Sequence, residues 1–211
     1  MTVKAVITDW GGVLTSPLAE AVGAWLAADR IDADRYRTVM RAWVDQAYDG
    51  GGPNPIHGLE DGTLDPAEFE RLLAAELLTV DGGPVLAAGL ISRMFGAFAP
   101  VEPMYAALRT VRSGGARTAL LSNSWGNDYP RDLFDGHFDA VVISAEVGMR
   151  KPDERIFRHA VALLGLAPAE CVFIDDIEHN VRAAEDLGLH AILHTASDTT
   201  IAELRGLGLH P

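Results

Sequence analysis

One cysteine, Cys171, stands among 211 residues, which excludes an internal disulfide and a thiolate metal cluster. It opens the apolar run 171–174, so it reads as a buried structural thiol rather than a nucleophile. Basic residues are also scarce. Seventeen Lys and Arg face 30 Asp and Glu, for a formal charge of −13, and they are spread along the chain. Binding a phosphate backbone needs clustered cations, so DNA or RNA is not an expected partner. No uninterrupted apolar run approaches the ~20 residues of a membrane span. Residues 1–4 run straight into the first apolar stretch with no charged and apolar leader pattern, and the expectation is a soluble, cytoplasmic protein. Internal repeats, low-complexity tracts and linkers are absent as well. What remains is an ordinary globular composition, 48% hydrophobic, long enough for one substantial core and a smaller satellite domain.

The stretch that organises the rest is residues 4–15, KAVITDWGGVLT. A short apolar strand stops at Asp9, and Gly11 and Gly12 then let the backbone turn tightly beside it. A carboxylate at the carboxyl end of a buried parallel strand lies where open α/β sheets place their ligands. Glycines there also leave backbone N–H groups free to meet an anion.

Beyond Thr15 the apolar spacing becomes helical, over residues 17–29 (Val22, Trp25, Leu26) and 33–48 (Tyr36, Val39, Met40, Trp43, Val44). Residues 49–58, rich in glycine and proline, read as a mobile loop. Asp65, Pro66 and Glu68 form a helix start with a capping-box pattern, followed by a helix to about Leu78 and another over 84–98. From Pro103 onward strands and helices alternate, which implies parallel pairing. Strands over 118–121, 140–143, 171–174 and 190–193 are separated by helices, the last of them over about 199–204. The expected architecture is an α/β, Rossmann-like parallel sheet core (residues 1–15 and 100–211). A helical cap (residues 16–99) is inserted after the first strand.

Four segments that follow strands bring Asp9, Ser122 with Asn123, Lys151, and Asp175 with Asp176 and Asn180 toward one rim. Together they make a phosphoryl-transfer set: a carboxylate nucleophile, a hydroxyl and N–H donors for phosphoryl oxygens, an ammonium, and acids for a divalent cation. Magnesium suits this oxygen-rich set better than zinc, because no Cys or His cluster stands there. Singly, each residue has a plainer reading; Asp176, for instance, could cap the helix that begins near Glu178.

In order and spacing these motifs resemble the haloacid dehalogenase superfamily, with Asp9 through Thr15, Ser122-Asn123, Lys151-Pro152 and Asp175 through Asn180 as its four motifs. Gly11 through Leu14, Leu121 through Asn123, Gly148 through Pro152 and the Asp-Asp-x-x-x-Asn pattern resemble one group in particular. It contains the phosphatase domain of soluble epoxide hydrolases and bacterial sugar-1-phosphate phosphatases. The resemblance implies a magnesium-dependent phosphohydrolase acting on a small phosphorylated metabolite through an aspartyl-phosphate at Asp9. Asp9 and Asp176, with the Gly11 carbonyl, would hold the metal, while Ser122, Lys151 and the Asn123 N–H would hold the phosphoryl group. Asp175 and Asn180 would order the metal's surroundings, and Trp10 and Trp125 would wall the pocket or pack against the cap.

The resemblance departs at Gly11, where most phosphatases of this superfamily carry a second aspartate that protonates the leaving oxygen. General acid–base assistance is worth about 10²–10⁴ in rate. Three outcomes fit: an acid from the cap (His57, Glu60 or Asp61), a substrate with a good leaving group, or a catalytically weak phosphate- and metal-binding regulatory protein. Metal-independent dehalogenation is disfavoured by the paired Asp175-Asp176. Monomer and homodimer stay equally open.

Overall fold

The computed structural model describes residues 2–49, 54–126 and 129–211. The chain divides into two compact units, one of Met1–Pro17, Ala99–Asn123 and Tyr129–Pro211, the other of Leu18–Phe98 and Ser124–Asp128.

The first unit is built on a five-stranded sheet in the order β3-β2-β1-β4-β5, and every neighbouring pair is parallel. Its strands are β1 (Ala5–Thr8), β2 (Arg117–Ser122), β3 (Ala140–Ile143), β4 (Cys171–Asp175) and β5 (His190–Leu193). Strands β1 and β4 are buried along their whole length, as parallel strands covered on both faces must be. Alternate residues serve opposite faces. Ala5, Ile7, Ala119, Leu121, Cys171 and Phe173 form one face, together with Ile156, Phe157, Ala160 and Val161 and with Ala184. The Phe157 and Phe173 rings meet edge to face at 5.2 Å. Thr8 pairs with Leu120 on one side and Ile174 on the other, so β1 is central and the residue after it, Asp9, leaves the sheet at its midline.

The second unit holds helices α1 (Leu18–Ala28), α2 (Ala33–Asp49), α3 (Pro55–Glu60), α4 (Pro66–Glu76) and α5 (Leu90–Phe95). They close over a core that includes Trp25, Ile31, Phe69, Leu73, Leu90 and Met94. Trp125 joins this unit, its ring edge-on to Phe69 at 6.0 Å and to Phe95 at 6.2 Å. The sheet unit continues with α6 (Glu102–Ser113), single turns α7 (Arg131–Phe134) and α8 (Ser144–Val147), α9 (Glu154–Leu164), α10 (Glu178–Asp186) and α11 (Ser197–Gly206). No described helix is long and apolar enough to cross a membrane.

Three local expectations need correction. Helix α5 is confined to Leu90–Phe95 instead of filling 84–98, because Leu78 and Pro84 form an antiparallel bridge and Gly89 takes a left-handed φ of 70°. The Glu70 carboxylate accepts from the N–H groups of Gly89 (3.0 Å) and Ile91 (2.9 Å), capping that helix from a distance in sequence. Within the segment read as a mobile loop, residues 50–53 lie outside the described residues, but Pro55 begins α3. Asn54 Oδ1 accepts from the N–H groups of Ile56 and His57, so Asn-Pro serves here as cap and first helical residue. Asp65 does cap α4, accepting from Ala67 and Glu68, whereas the Glu68 side chain pairs with Arg71 rather than reaching back.

Cys171 is fully buried, and burial, aided by the Glu170 charge, pushes its thiol up to about 11. A thiol reagent at pH 8 is therefore expected to leave the folded protein unmodified and to titrate one thiol per chain in urea. Rapid labelling without denaturant would contradict this packing.

Candidate active site

Asp9 is fixed by the sheet before it is fixed by chemistry. Its N–H donates to the Ile174 carbonyl at 2.8 Å, continuing the ladder one residue past β1. The chain then closes on itself, with the Trp10 carbonyl accepting from Leu14 (2.9 Å) and Thr15 (3.1 Å) and the Gly12 N–H donating to Thr15 Oγ1 (3.1 Å). Gly12 is required at this turn. Its φ is +72°, and a Cβ there would lie 2.1 Å from Asp176 Oδ2. Gly11 differs, because its φ is outside the left-handed region and a Cβ would meet nothing within 4 Å.

Lys151 reaches the same place from the segment after α8 and is only 2% exposed. Its Nζ donates to Asp9 Oδ1 at 2.8 Å and to Asp175 Oδ2 at 2.6 Å, and it lies 5.5 Å from the centre of the Phe173 ring. Asp175, at the end of β4, also accepts from the Ile177 N–H (2.8 Å) and from Asn180 Nδ2 (3.1 and 3.2 Å). Asp175, not Asp176, is thus the acid that turns the chain into α10, whose cap is Ile177; this corrects the capping reading of Asp176. Asp176 stays exposed at the rim.

Carboxylate oxygens of Asp9, Asp175 and Asp176 lie within 4.8 Å of one another. Burial pushes the Asp9 carboxyl up to about 7, against the pull of Lys151 and with the help of Asp175. Burial alone would lower Lys151, but Asp175 and Asp9 outweigh it and hold the ammonium above its usual range. With all three carboxyls ionised, they exceed the one ammonium by two negative charges, which a divalent cation would balance. Oxygen donors of this kind fit a hard cation such as magnesium.

Ser122 ends β2 and is 2% exposed. The side chain of Asn123 clasps the backbone of Lys151: Nδ2 donates to the Lys151 carbonyl (3.0 Å), and Oδ1 accepts from its N–H (2.8 Å). This amide role adds to the backbone N–H expected of Asn123. The clasp fixes the segment that carries the ammonium. Trp10 is buried, and its ring lies 4.9 Å from that of Tyr129.

A family model of haloacid dehalogenase-like hydrolases matches residues 3–188. The chain belongs to this family. Among its relatives, mouse (Mus musculus) acyl-CoA dehydrogenase family member 10 is 32% identical over 218 residues, covering 97% of this chain and 19% of that protein. A sesquiterpene phosphatase of Aspergillus oryzae is 30% identical over 216 residues, 98% of this chain and 97% of the relative. The chain spans about a fifth of the length of the mouse protein and of the pig and rat bifunctional epoxide hydrolases it also matches. Among solved structures, a haloacid dehalogenase family enzyme of Bacteroides thetaiotaomicron shares the fold, with a TM-score of 0.69 at 21% identity over 97% of this chain and all of that one. That enzyme has also been solved in complex with magnesium and inorganic phosphate, with a TM-score of 0.61 at 21% identity over 92% of this chain and 95% of that one.

Within this haloacid dehalogenase-like scaffold, Asp9, Lys151, Asp175 and Asn180 form one connected network, with Asp176 beside it. The candidate cap acids lie in the helical unit. His57 and Glu60 are on α3, and Asp61 follows it and accepts from the N–H and hydroxyl of Thr63. His57 and Asp61 line a cavity of about 430 Å³. One residue escaped the sequence reading. Tyr129, whose hydroxyl lies 2.9 Å from Ser122 Oγ, belongs to no motif, and only its closeness in sequence to Ser122 pointed to it.

The two glycines make a direct test of this geometry. Gly12→Ala is expected to destabilise the protein by about 1–3 kcal/mol and to abolish any thermal stabilisation by magnesium. Gly11→Ala should be neutral or stabilising by up to about 1 kcal/mol. Urea unfolding and melting with and without magnesium read both effects, and equal behaviour of the two variants would contradict the tight approach of Asp176.

Proposed function

We propose that this protein is a magnesium-dependent phosphohydrolase that acts on a small phosphorylated metabolite through an aspartyl-phosphate at Asp9. The observation that carries the reading is the buried Asp9 carboxylate, gripped by Lys151 inside an acidic cluster and flanked by the Ser122 strand end. Family membership and the similarity to a phosphatase along nearly the whole chain support the same conclusion. So does the Bacteroides neighbour, which shares the fold and takes up magnesium with phosphate.

In this scheme Asp9, Asp176 and the Gly11 carbonyl hold magnesium. The ion supplies charge neutralisation for the phosphoryl oxygens and for the attacking carboxylate. Ser122, Lys151 and the Asn123 N–H hold the phosphoryl group, and Trp10 backs the site. One Asp9 oxygen attacks phosphorus, and the bond to the leaving oxygen breaks with its electron pair. Water then attacks the same phosphorus and gives up a proton, which the leaving oxygen of the first step takes up through solvent. The Asp9 oxygen departs as carboxylate with the electron pair of its bond to phosphorus, and inorganic phosphate is released. Asp175 keeps Lys151 in place through both steps, and Asn180 keeps Asp175 in place.

Gly11 offers no proton to the leaving oxygen, so the scheme favours leaving groups that depart readily, such as acyl or anomeric oxygens. The open space above Gly11 means that the fold does not forbid an acid there. The same absence favours the second reading, a catalytically weak protein that binds phosphate and metal.

Phosphate release from acyl, anomeric and alkyl phosphates, with and without magnesium, tests the proposal. Release should require magnesium and vanish in Asp9→Asn. Gly11→Asp should raise alkyl-phosphate turnover by at least about tenfold while changing acyl-phosphate turnover little. Metal-independent release, or release surviving in Asp9→Asn, would overturn the phosphohydrolase reading. Phosphate binding with no turnover of any substrate would favour the second.

A further inference from the structure

Tyr129 lies at the junction of two site segments without belonging to either. Its hydroxyl is 2.9 Å from Ser122 Oγ, where either oxygen can donate, and it donates to the Asn123 carbonyl at 3.3 Å. Its ring rests on Trp10, the residue after Asp9, at 4.9 Å and a tilt of 57°, and meets Phe134 at 6.1 Å. All these residues belong to the sheet unit.

Hydroxyl chemistry gives this contact a direction. Serine has one proton and two lone pairs, and to hold a phosphoryl oxygen it must donate that proton. Ser122 is buried, and its oxygen then keeps lone pairs that a neighbouring donor can fill. A phenol is more acidic than an alkyl hydroxyl and is the better donor of the pair. Aligned donors also polarise one another, so a proton given to Ser122 Oγ strengthens the one that Ser122 gives away. The phenolic proton has two acceptors, the Asn123 carbonyl at 3.3 Å and Ser122 Oγ at 2.9 Å, and once Ser122 gives its own proton to a phosphoryl oxygen the shorter contact takes it.

We propose that Tyr129 is a positioning residue for phosphoryl binding: its hydroxyl donates to Ser122 Oγ and turns the Ser122 proton toward the phosphoryl oxygen. This rests on the phosphohydrolase reading above. The assignment concerns binding rather than bond breaking, so its loss should appear in KM and phosphate affinity more than in kcat.

Tyr129→Phe removes the hydroxyl and keeps the ring. Titration calorimetry with inorganic phosphate in excess magnesium, together with phosphate inhibition of p-nitrophenyl phosphate hydrolysis, reads the effect. The expected result is phosphate binding weakened about tenfold, with a matching rise in KM and a smaller change in kcat. In a Ser122→Ala background, Tyr129→Phe should weaken phosphate binding no further, since the hydroxyl then has nothing to orient. Unchanged binding in Tyr129→Phe, or an equal loss with and without Ser122, would overturn the assignment and leave Tyr129 a packing residue. If the unmutated protein neither binds phosphate nor releases it, the phosphohydrolase reading itself fails, and this inference fails with it.

Discussion

A single buried ammonium, that of Lys151, stands between the carboxylates of Asp9 and Asp175, and the arrangement of the rim follows from accommodating it. Removing one partner of a buried ion pair typically costs about 3–5 kcal/mol, because the charge left behind has no water to turn to. The surroundings accordingly leave little unsatisfied. Asn180 and the Ile177 N–H complete Asp175, Asn123 fixes the Lys151 backbone, and the Asp9 N–H is held by the Ile174 carbonyl. Even so, the cluster keeps more negative than positive charge, and burial raises Asp9 to about 7. On the proposed function, a cation would complete this site and, through Lys151 and Ser122, so would the phosphoryl anion.

The glycines that follow Asp9 divide this requirement between geometry and chemistry. Gly12 is dictated by backbone and contact, since its φ is left-handed and the Asp176 carboxylate occupies the space a side chain would need. Gly11 is dictated by neither. The missing acid is therefore not a by-product of folding, and under the proposed function its consequence would fall on the choice of substrate.

Much of the fold was legible in the sequence because a parallel sheet writes itself plainly. Each strand is a short apolar run, and those of β1, β2 and β4 stop at a polar residue, so Asp9, Ser122 and Asp175 were found from pattern alone. The helical unit was less legible. Leu78 and Pro84 pair through a bridge that no local pattern announces, and Glu70 caps α5 from 19 residues away. Asn54-Pro55 carries turn chemistry in sequence and helix-start chemistry in three dimensions, since one dipeptide suits both. Tyr129 was invisible for a different reason. A tyrosine earns a role from what its hydroxyl touches, and the Ser122 contact exists only once β2 and the chain after it have folded.

Chemical trapping shows whether Asp9 carries the phosphoryl group. Enzyme quenched during turnover of acetyl phosphate with magnesium would be reduced with borohydride, which converts an acyl phosphate of aspartate to homoserine, and then peptide-mapped. Conversion is expected at Asp9 and at no other carboxylate, with none in Asp9→Asn. Phosphate release with Asp9 recovered unreduced, or conversion at a different residue, would contradict it.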